Sequence, residues 1–390
     1  MAFLVFSWSF GSYVLRDNGD TMQQRAVTWF RNHGLGRIVE IAEGAKYRSP
    51  PSKAAAEDLA LAVTTAAGPT TTVEAPTTAV ALSSTVATPT TAATPTTTTI
   101  PPHKVAPANL IPVVAPPLAG EGVWTPIARA GGVDAVWAAS IRPLAKYPSV
   151  VGTFAIVDQT NMTAAMFNGS DIPGGTGWAL GNRVPDELHS SLRAGFNGGF
   201  RFEHIKGGYK TEGRVVRELK AGEGTLALTA AGKVTIGEFG RDVLDDGKFV
   251  SMRQNLPLLV DGGLSMVDAH SGTWWGADYG DVIYVLRSSV CQLADGRIMY
   301  GAVGKVDAHL LAASLASLGC QRAMQLDING TWPTFFTFPV DAHGTIAPTL
   351  LDRRMGGGKG RYLTGSTREF FAFFDSAQLP PQSVLTTRPA

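Results

Sequence analysis

Cysteine is nearly absent: the 390 residues hold two, Cys291 and Cys320, and no Cys-x-x-Cys pair. That excludes a zinc site built mainly on cysteine. The two residues are able to form one disulfide if the chain is exported, or to serve as two small buried hydrophobes. Sequence does not measure their separation, so both readings stay open. A surplus of either charge is missing too. Lys+Arg number 33 against Asp+Glu 32, with no long basic run, so a sequence-independent grip on nucleic acid has little electrostatic support. There is no HExxH, GxSxG, P-loop or GxGxxG after a strand, and none of the seven scattered histidines is paired at i, i+4. No metal and no cofactor are expected.

A long hydrophobic run is the third absence. The apolar stretch Ala2 to Leu15 (AFLVFSWSFGSYVL) makes a helix of roughly 21 Å, short of a ~30 Å hydrocarbon core. It reads as a signal anchor or its remnant, residues 1–20, with a buried helix of a soluble domain as the competing reading. Residues 21–61 read as short amphipathic helical pieces: Thr21 and Gln24 fit a capping box, and Gly34 fits a helix end. Residues 62–117 are dominated by Thr, Ala, Pro and Val, with no charge between Glu74 and His103. Such a segment buries too little apolar surface to offset its ordering entropy, and reads as a disordered stalk. The order of anchor, stalk and domain is that of a protein tethered to a membrane outside the cytoplasm.

The folded part is expected over 118–380, with 381–390 as a tail. Its 44 glycines favour many turns and a strand-rich core. Stretches such as SVVGTFAIVDQ and GTLALTAAGKVTIGEF run or alternate as strands do. HLLAASLASLG at 309–319 places Leu310, Leu311, Leu315 and Leu318 on one helical face. It lies between DVIYVLRSSVCQL, a second strand and AMQLD, one connected α/β unit. The fold class expected is α+β, a mixed, mainly antiparallel sheet with packed helices.

The most informative stretch is MQLDINGTW at 324–332, where an apolar strand delivers Asp327 and Asn329 into a turn. With RAGFNGGF at 193–200 and RQNLPLLVDGG at 253–263, it makes the chain resemble the phosphodiester glycosidase family. Four short motifs occur in order: Asn197-Gly198-Gly199-Phe200, the Gly-rich acidic stretch around Glu212, Arg287 leading a strand, and Leu326-Asp327. The resemblance runs from Val123 to Phe374. One departure stands out. The family's Leu-Asp turn continues Gly-Gly-Gly-Ser, whereas this chain reads Ile328-Asn329-Gly330-Thr331-Trp332. The Asp-Ile-Asn form is similar to a branch typical of actinobacterial surface proteins, and Ile328 is expected to narrow a ligand's approach to the backbone.

The resemblance implies hydrolysis of a sugar-1-phosphodiester in an envelope glycan or glycolipid. Positive charge develops at the anomeric carbon while an anionic phosphate leaves. A carboxylate stabilises that cation, activates water or attacks directly, and a guanidinium fork grips the phosphate. Asp327 is the first candidate carboxylate and Glu212 the second; Arg287 is the candidate fork, and Asn197 and Asn329 orient hydroxyls or water. Gly198 and Gly199 offer backbone N–H groups to anionic oxygens, while His204 and Trp332 are candidates to line the cleft. Each residue also has a plain structural reading. Asn197-Gly198 is a hairpin-turn signal, Asp327 a turn cap, Arg287 a buried ion-pair partner, Glu212 a turn residue, His204 a surface histidine and Asp261-Gly262-Gly263 a turn. The alternative function is a carbohydrate-binding or structural surface module without turnover, which draws on Trp274, Trp275, Trp332, Phe335 and Phe336 as stacking rings.

Overall fold

The computed structural model describes residues 2–15, 21–36, 38–39, 49–62, 105–270, 275, 284–328, 330–341, 345–358 and 360–386. Most of the Thr/Pro/Ala segment, together with Trp274 and Asn329, lies outside the described residues.

Three sheets build the domain. The largest runs, in spatial order, β1 (Thr125–Ala130), β2 (Val133–Ile141), β3 (Gly152–Val157), β14 (Ile298–Val306), β13 (Val285–Leu293), β15 (Cys320–Gln325), β11 (Val260–Asp261) and β12 (Leu264–Ser265). The second is β7 (Arg214–Arg217), β6 (Tyr209–Thr211), β10 (Phe249–Gln254), β8 (Gly224–Thr229) and β9 (Val234–Glu238). The third is β17 (Thr349–Leu350), β16 (Phe335–Thr337), β5 (Leu192–Asn197), β18 (Phe370–Asp375) and β4 (Met162–Phe167). Within all three sheets neighbouring strands run antiparallel. Parallel contact is confined to isolated bridges, and helices are few.

The period of two along each strand explains how the large sheet buries both faces. Val136, Ala138, Ala155, Val157, Val290 and Tyr300 turn inward to a core shared with Phe196, Phe371 and Leu226 of the other sheets. Their neighbours Trp137, Ala139, Phe154, Ile156, Cys291 and Met299 face a second core under the helix α3 (Ala308–Ser317). Asp307 caps α3 by accepting from the Leu310 N–H at 2.8 Å. Leu311 and Leu315 are fully buried, with Leu310 and Leu318 packed beside them, so the leucine face reads as expected. Each such leucine contributes about 1.5–3 kcal/mol. Phe335, Phe336 and Trp275 are core residues, which removes them as stacking platforms.

Cys291 and Cys320 form a disulfide between β13 and β15, with Cα atoms 5.7 Å apart. Asp261-Gly262-Gly263 is a hairpin turn: Asp261 pairs with Leu264, and φ is +57° at Gly262 and +80° at Gly263, values that glycine adopts without strain.

Two helices precede the domain, α1 (Ala2–Val14) and α2 (Met22–Asn32). The capping box is present: Thr21 Oγ1 accepts from the Gln24 N–H at 3.2 Å, and Gln24 Oε1 accepts from the Thr21 N–H at 2.7 Å. No described helix is long and apolar enough to cross a membrane. The stretch expected to be stalk, 62–117, has ordered ends. Ala62 donates to Leu351 O at 2.9 Å and Leu110 to Gly122 O at 2.8 Å. Arg142 donates to Val114 O at 3.2 Å and to Pro116 O at 2.7 Å. Packing against the domain therefore begins before residue 118, because these backbone groups find partners on it.

Candidate active site

The site forms where β5, β15 and β18 end together. Asn197 closes β5, and its buried side chain uses its full hydrogen-bonding capacity. Oδ1 accepts from Tyr300 at 3.0 Å and from the Thr334 N–H at 2.9 Å. Nδ2 donates to Gly198 O at 2.8 Å and to Ser288 at 3.1 Å. The Asn-Gly pair closes no hairpin, since β5 is flanked by β16 and β18. Asn197 instead locks the glycine turn onto the large sheet and has no polar atom left for substrate. That corrects its expected role from catalysis to positioning.

The turn must be glycine for lack of room. A Cβ on Gly198 would lie 2.3 Å from Glu369 Oε1, and one on Gly199 2.7 Å from Asn255 Oδ1. Gly198 N–H donates to Glu369 O at 3.1 Å and Gly199 N–H to Glu369 Oε1 at 2.9 Å. The anionic oxygen met by the Gly199 N–H thus belongs to the protein itself, which corrects the expectation of a nest for a ligand. Arg253 Nε donates to the same Glu369 oxygen at 2.6 Å, and Asn255 accepts from the Phe200 N–H at 2.9 Å.

Asp327 follows β15. Its backbone oxygen accepts from Ser288 N–H at 3.0 Å and Ser288 Oγ at 2.8 Å, fixing the turn to β13. Its carboxylate accepts from Arg368 at 3.0 Å. The same Arg368 nitrogen donates to Gly199 O. One guanidinium therefore ties the Asp327 turn to the glycine turn, and the Gly199 peptide has Glu369 on its N–H and Arg368 on its carbonyl. Trp332 lies beneath two guanidiniums, with its ring centroid 4.8 Å from Arg361 and 5.0 Å from Arg368. Arg368 Nε, Glu369 Oε2 and Gln325 Nε2 are buried without a hydrogen-bond partner. Unsatisfied buried groups are costly and few in native proteins, and a cluster of them marks a place built for something besides stability.

Other expected residues lie elsewhere or do other work. Arg287 points to the opposite face of β13 from Ser288. It donates to Val306 O at 2.8 Å, Trp275 O at 3.1 Å and Gln325 Oε1 at 2.9 Å. Burial pushes its pKa down to about 10, with Asp307 acting in the other direction. It is a structural cation and does not meet Asp327. Glu212 sits in the β6–β7 turn at φ +50°, accepting from the Leu180 N–H at 2.8 Å and the Ala179 N–H at 3.1 Å. Its carboxylate pins the loop that carries Ala179 and Leu180. Ile328 turns into the second core and does not narrow the cleft. His204 lies 3.5 Å from Arg31 of α2. Asn329 is outside the described residues.

Sequence reasoning assigned no role to Arg253, Asn255, Arg361, Arg368 or Glu369. A usable signal was there: Arg368-Glu369 is a charged dipeptide set directly against the apolar run FFAFF.

Residues 190–327 match the family model described as phosphodiester glycosidase. Over that span the chain is similar to phosphodiester glycosidases. The match takes in Asn197 and the glycine turn and ends at Asp327. No curated protein matches the chain. Among solved structures, it is similar to the catalytic domain of zebrafish N-acetylglucosamine-1-phosphodiester alpha-N-acetylglucosaminidase, in a form auto-inhibited by its pro-peptide. Identity is 16% and the TM-score 0.40, over 64% of this chain and 83% of that one. A hypothetical protein from Synechocystis gives 11% and 0.41 over 64% of each chain. A putative exported protein from Burkholderia pseudomallei gives 14% and 0.34, over 54% of this chain and 75% of that one.

Proposed function

We propose that the chain hydrolyses a glycosyl phosphodiester outside the cytoplasm, in an envelope glycan or glycolipid, and that it is held at a membrane through its N-terminal segment. The observation that carries the reading is that Arg368 joins Asp327 to the Gly199 peptide, which Glu369 also holds, with Asp327 and Gly199 both inside the family-matched span. Asp327 is the carboxylate for the anomeric centre, where it stabilises the developing cation, activates water or attacks. The phosphate is a good leaving group as it stands, so it needs charge neutralisation more than a strong acid. Arg368 and Arg361, flanking Trp332, supply that in place of Arg287. The disulfide and the Thr/Pro/Ala segment support the extracytoplasmic location, since disulfides persist in oxidising compartments.

The test is release of sugar from a sugar-1-phosphodiester by the full chain and by Asp327→Asn. Loss of about 10³-fold in kcat is expected for the variant, while Glu212→Gln stays within about twofold, as a turn residue should. Equal turnover by wild type and Asp327→Asn removes Asp327 from the chemistry. Absence of wild-type turnover across a panel of sugar phosphodiesters refutes the hydrolase reading.

A further inference from the structure

Helix α2 lies across the two turns that make the site. Near its start, Gln24 Nε2 donates to Thr331 O, in the turn that carries Trp332. At its end, Arg31 approaches His204 at 3.5 Å, and Asn32 accepts from Arg201 at 3.1 Å, both on the segment that follows Phe200. Gln24, Thr28 and Arg31 fall at i, i+4 and i+7 on one helical face, and Gln24 and Thr28 are buried. The helix thus spans the gap bridged underneath by Arg368, and Asp327, Trp332 and Arg368 are all at most 5% exposed in the chain as it stands.

The other side of α2 holds α1. Phe10 packs edge-on against Trp29 at 5.0 Å and at a tilt against Phe30 at 5.4 Å. Ser9 accepts from the Trp29 indole at 3.3 Å, and Val14 O from Arg25 at 2.6 Å. Trp29 is 1% exposed. Departure of α1 alone would bare that indole, so α2 follows α1 wherever α1 goes. The grip on the cleft is polar, whereas the grip on α1 adds aromatic packing to two hydrogen bonds. The cleft side is therefore the interface expected to part first.

α1 is poorly suited to water. Its thirteen residues carry no charge, Trp8 is 76% exposed and the adjoining Leu15 75%. At about 20 Å it is too short to cross a bilayer but long enough to lie in its interface, where an indole is at home. We infer that α1 and α2 act as one latch: α2 closes the candidate site, and a lipid surface that takes up α1 withdraws α2 from it.

The test needs no substrate, so it stands apart from the hydrolase reading. Spin labels at Met22→Cys and Lys206→Cys, in the full chain, report the distance from α2 to the cleft rim; the two native cysteines are disulfide-bonded. A single short distance is expected in buffer. On vesicles of phosphatidylethanolamine with phosphatidylglycerol, the short population is expected to fall roughly tenfold in favour of a longer one. Adding Trp8→Asp should abolish the vesicle response and keep the short distance in buffer, while Gln24→Ala with Arg31→Ala should give the long distance without lipid. Vesicle binding with the distance unchanged overturns the coupling. Failure of the chain to bind vesicles overturns the choice of partner.

Discussion

Two buried arginine–carboxylate clusters in this molecule look alike in composition and differ in completeness. Arg142 grips Glu121 from two nitrogens, at 2.6 Å and 3.0 Å, and also donates to Val114 O and Pro116 O. Neither residue has a buried atom lacking a partner. Around Asp327, by contrast, Arg368 and Glu369 each keep one buried polar atom unmatched. A closed cluster is a brace for the chain around residues 114–121; an open one has capacity left for a ligand. Hydrogen-bond accounting separates the two where residue type alone does not.

The largest effect on stability is expected at the brace. Glu121→Gln leaves a buried guanidinium without its counter-charge and should cost about 3 kcal/mol or more in denaturant titration, with turnover per folded molecule unchanged. Burial raises the Glu121 pKa, but Arg142 and the backbone N–H groups outweigh it and the net shift is downward. Its contribution is therefore present above the ordinary glutamate range and lost as pH falls through its lowered value.

A third buried carboxylate, Glu223, sharpens the contrast because it has no arginine at all. Burial raises its pKa to about 7, against a weaker opposing effect of Lys206, and its Oε2 has no partner. Here the native state holds its proton more tightly than the unfolded chain, so this group's contribution falls as pH rises from about 4.5 through 7. Glu223→Gln should stabilise by about 2 kcal/mol at pH 8 and by within about 1 kcal/mol at pH 5. A gain that is the same at both pH values would show that Glu223 is not buried as a lone acid.

The smallest change is expected at the site itself. Asp327→Asn should cost about 1 kcal/mol, because Arg368 bonds one oxygen of Asp327, which an amide keeps, whereas Arg142 bonds both oxygens of Glu121, one of which becomes an NH2 in the glutamine. A loss as large as that of Glu121→Gln would make Asp327 a brace as well, and the comparison would fail.

Local pattern carried much of this. The strand alternation, the leucine face of α3, the Thr21–Gln24 box and the Asp261-Gly262-Gly263 turn are all written in neighbouring residues, and each is found in the fold. Asp327, Gly199 and Trp332 also come together, each within reach of Arg368. What the sequence hid was set by sheet order. Arg287 and Ser288 are adjacent, and only the placement of β13 between β14 and β15 decides that Ser288 faces the site. Arg368 and Glu369 reach Gly199 because β18 pairs with β5, Phe370 opposite Asn197, across more than 170 positions of chain. No periodicity announces a pairing of that range. Glu212 was misleading for the opposite reason: its Gly-rich setting marked a turn, and a turn is what it serves.

Gln24 does two jobs with one amide, its oxygen closing the first turn of α2 and its nitrogen holding Thr331. An 11-residue helix is shorter than one that persists alone in water. Off the protein, α2 would therefore melt as it leaves, and the order it loses offsets part of the contacts it gives up. Opening is then a local unfolding transition as well as a movement. Its equilibrium should respond to temperature with the steepness of a folding reaction, so warmth alone would bare part of the site that lipid is inferred to uncover.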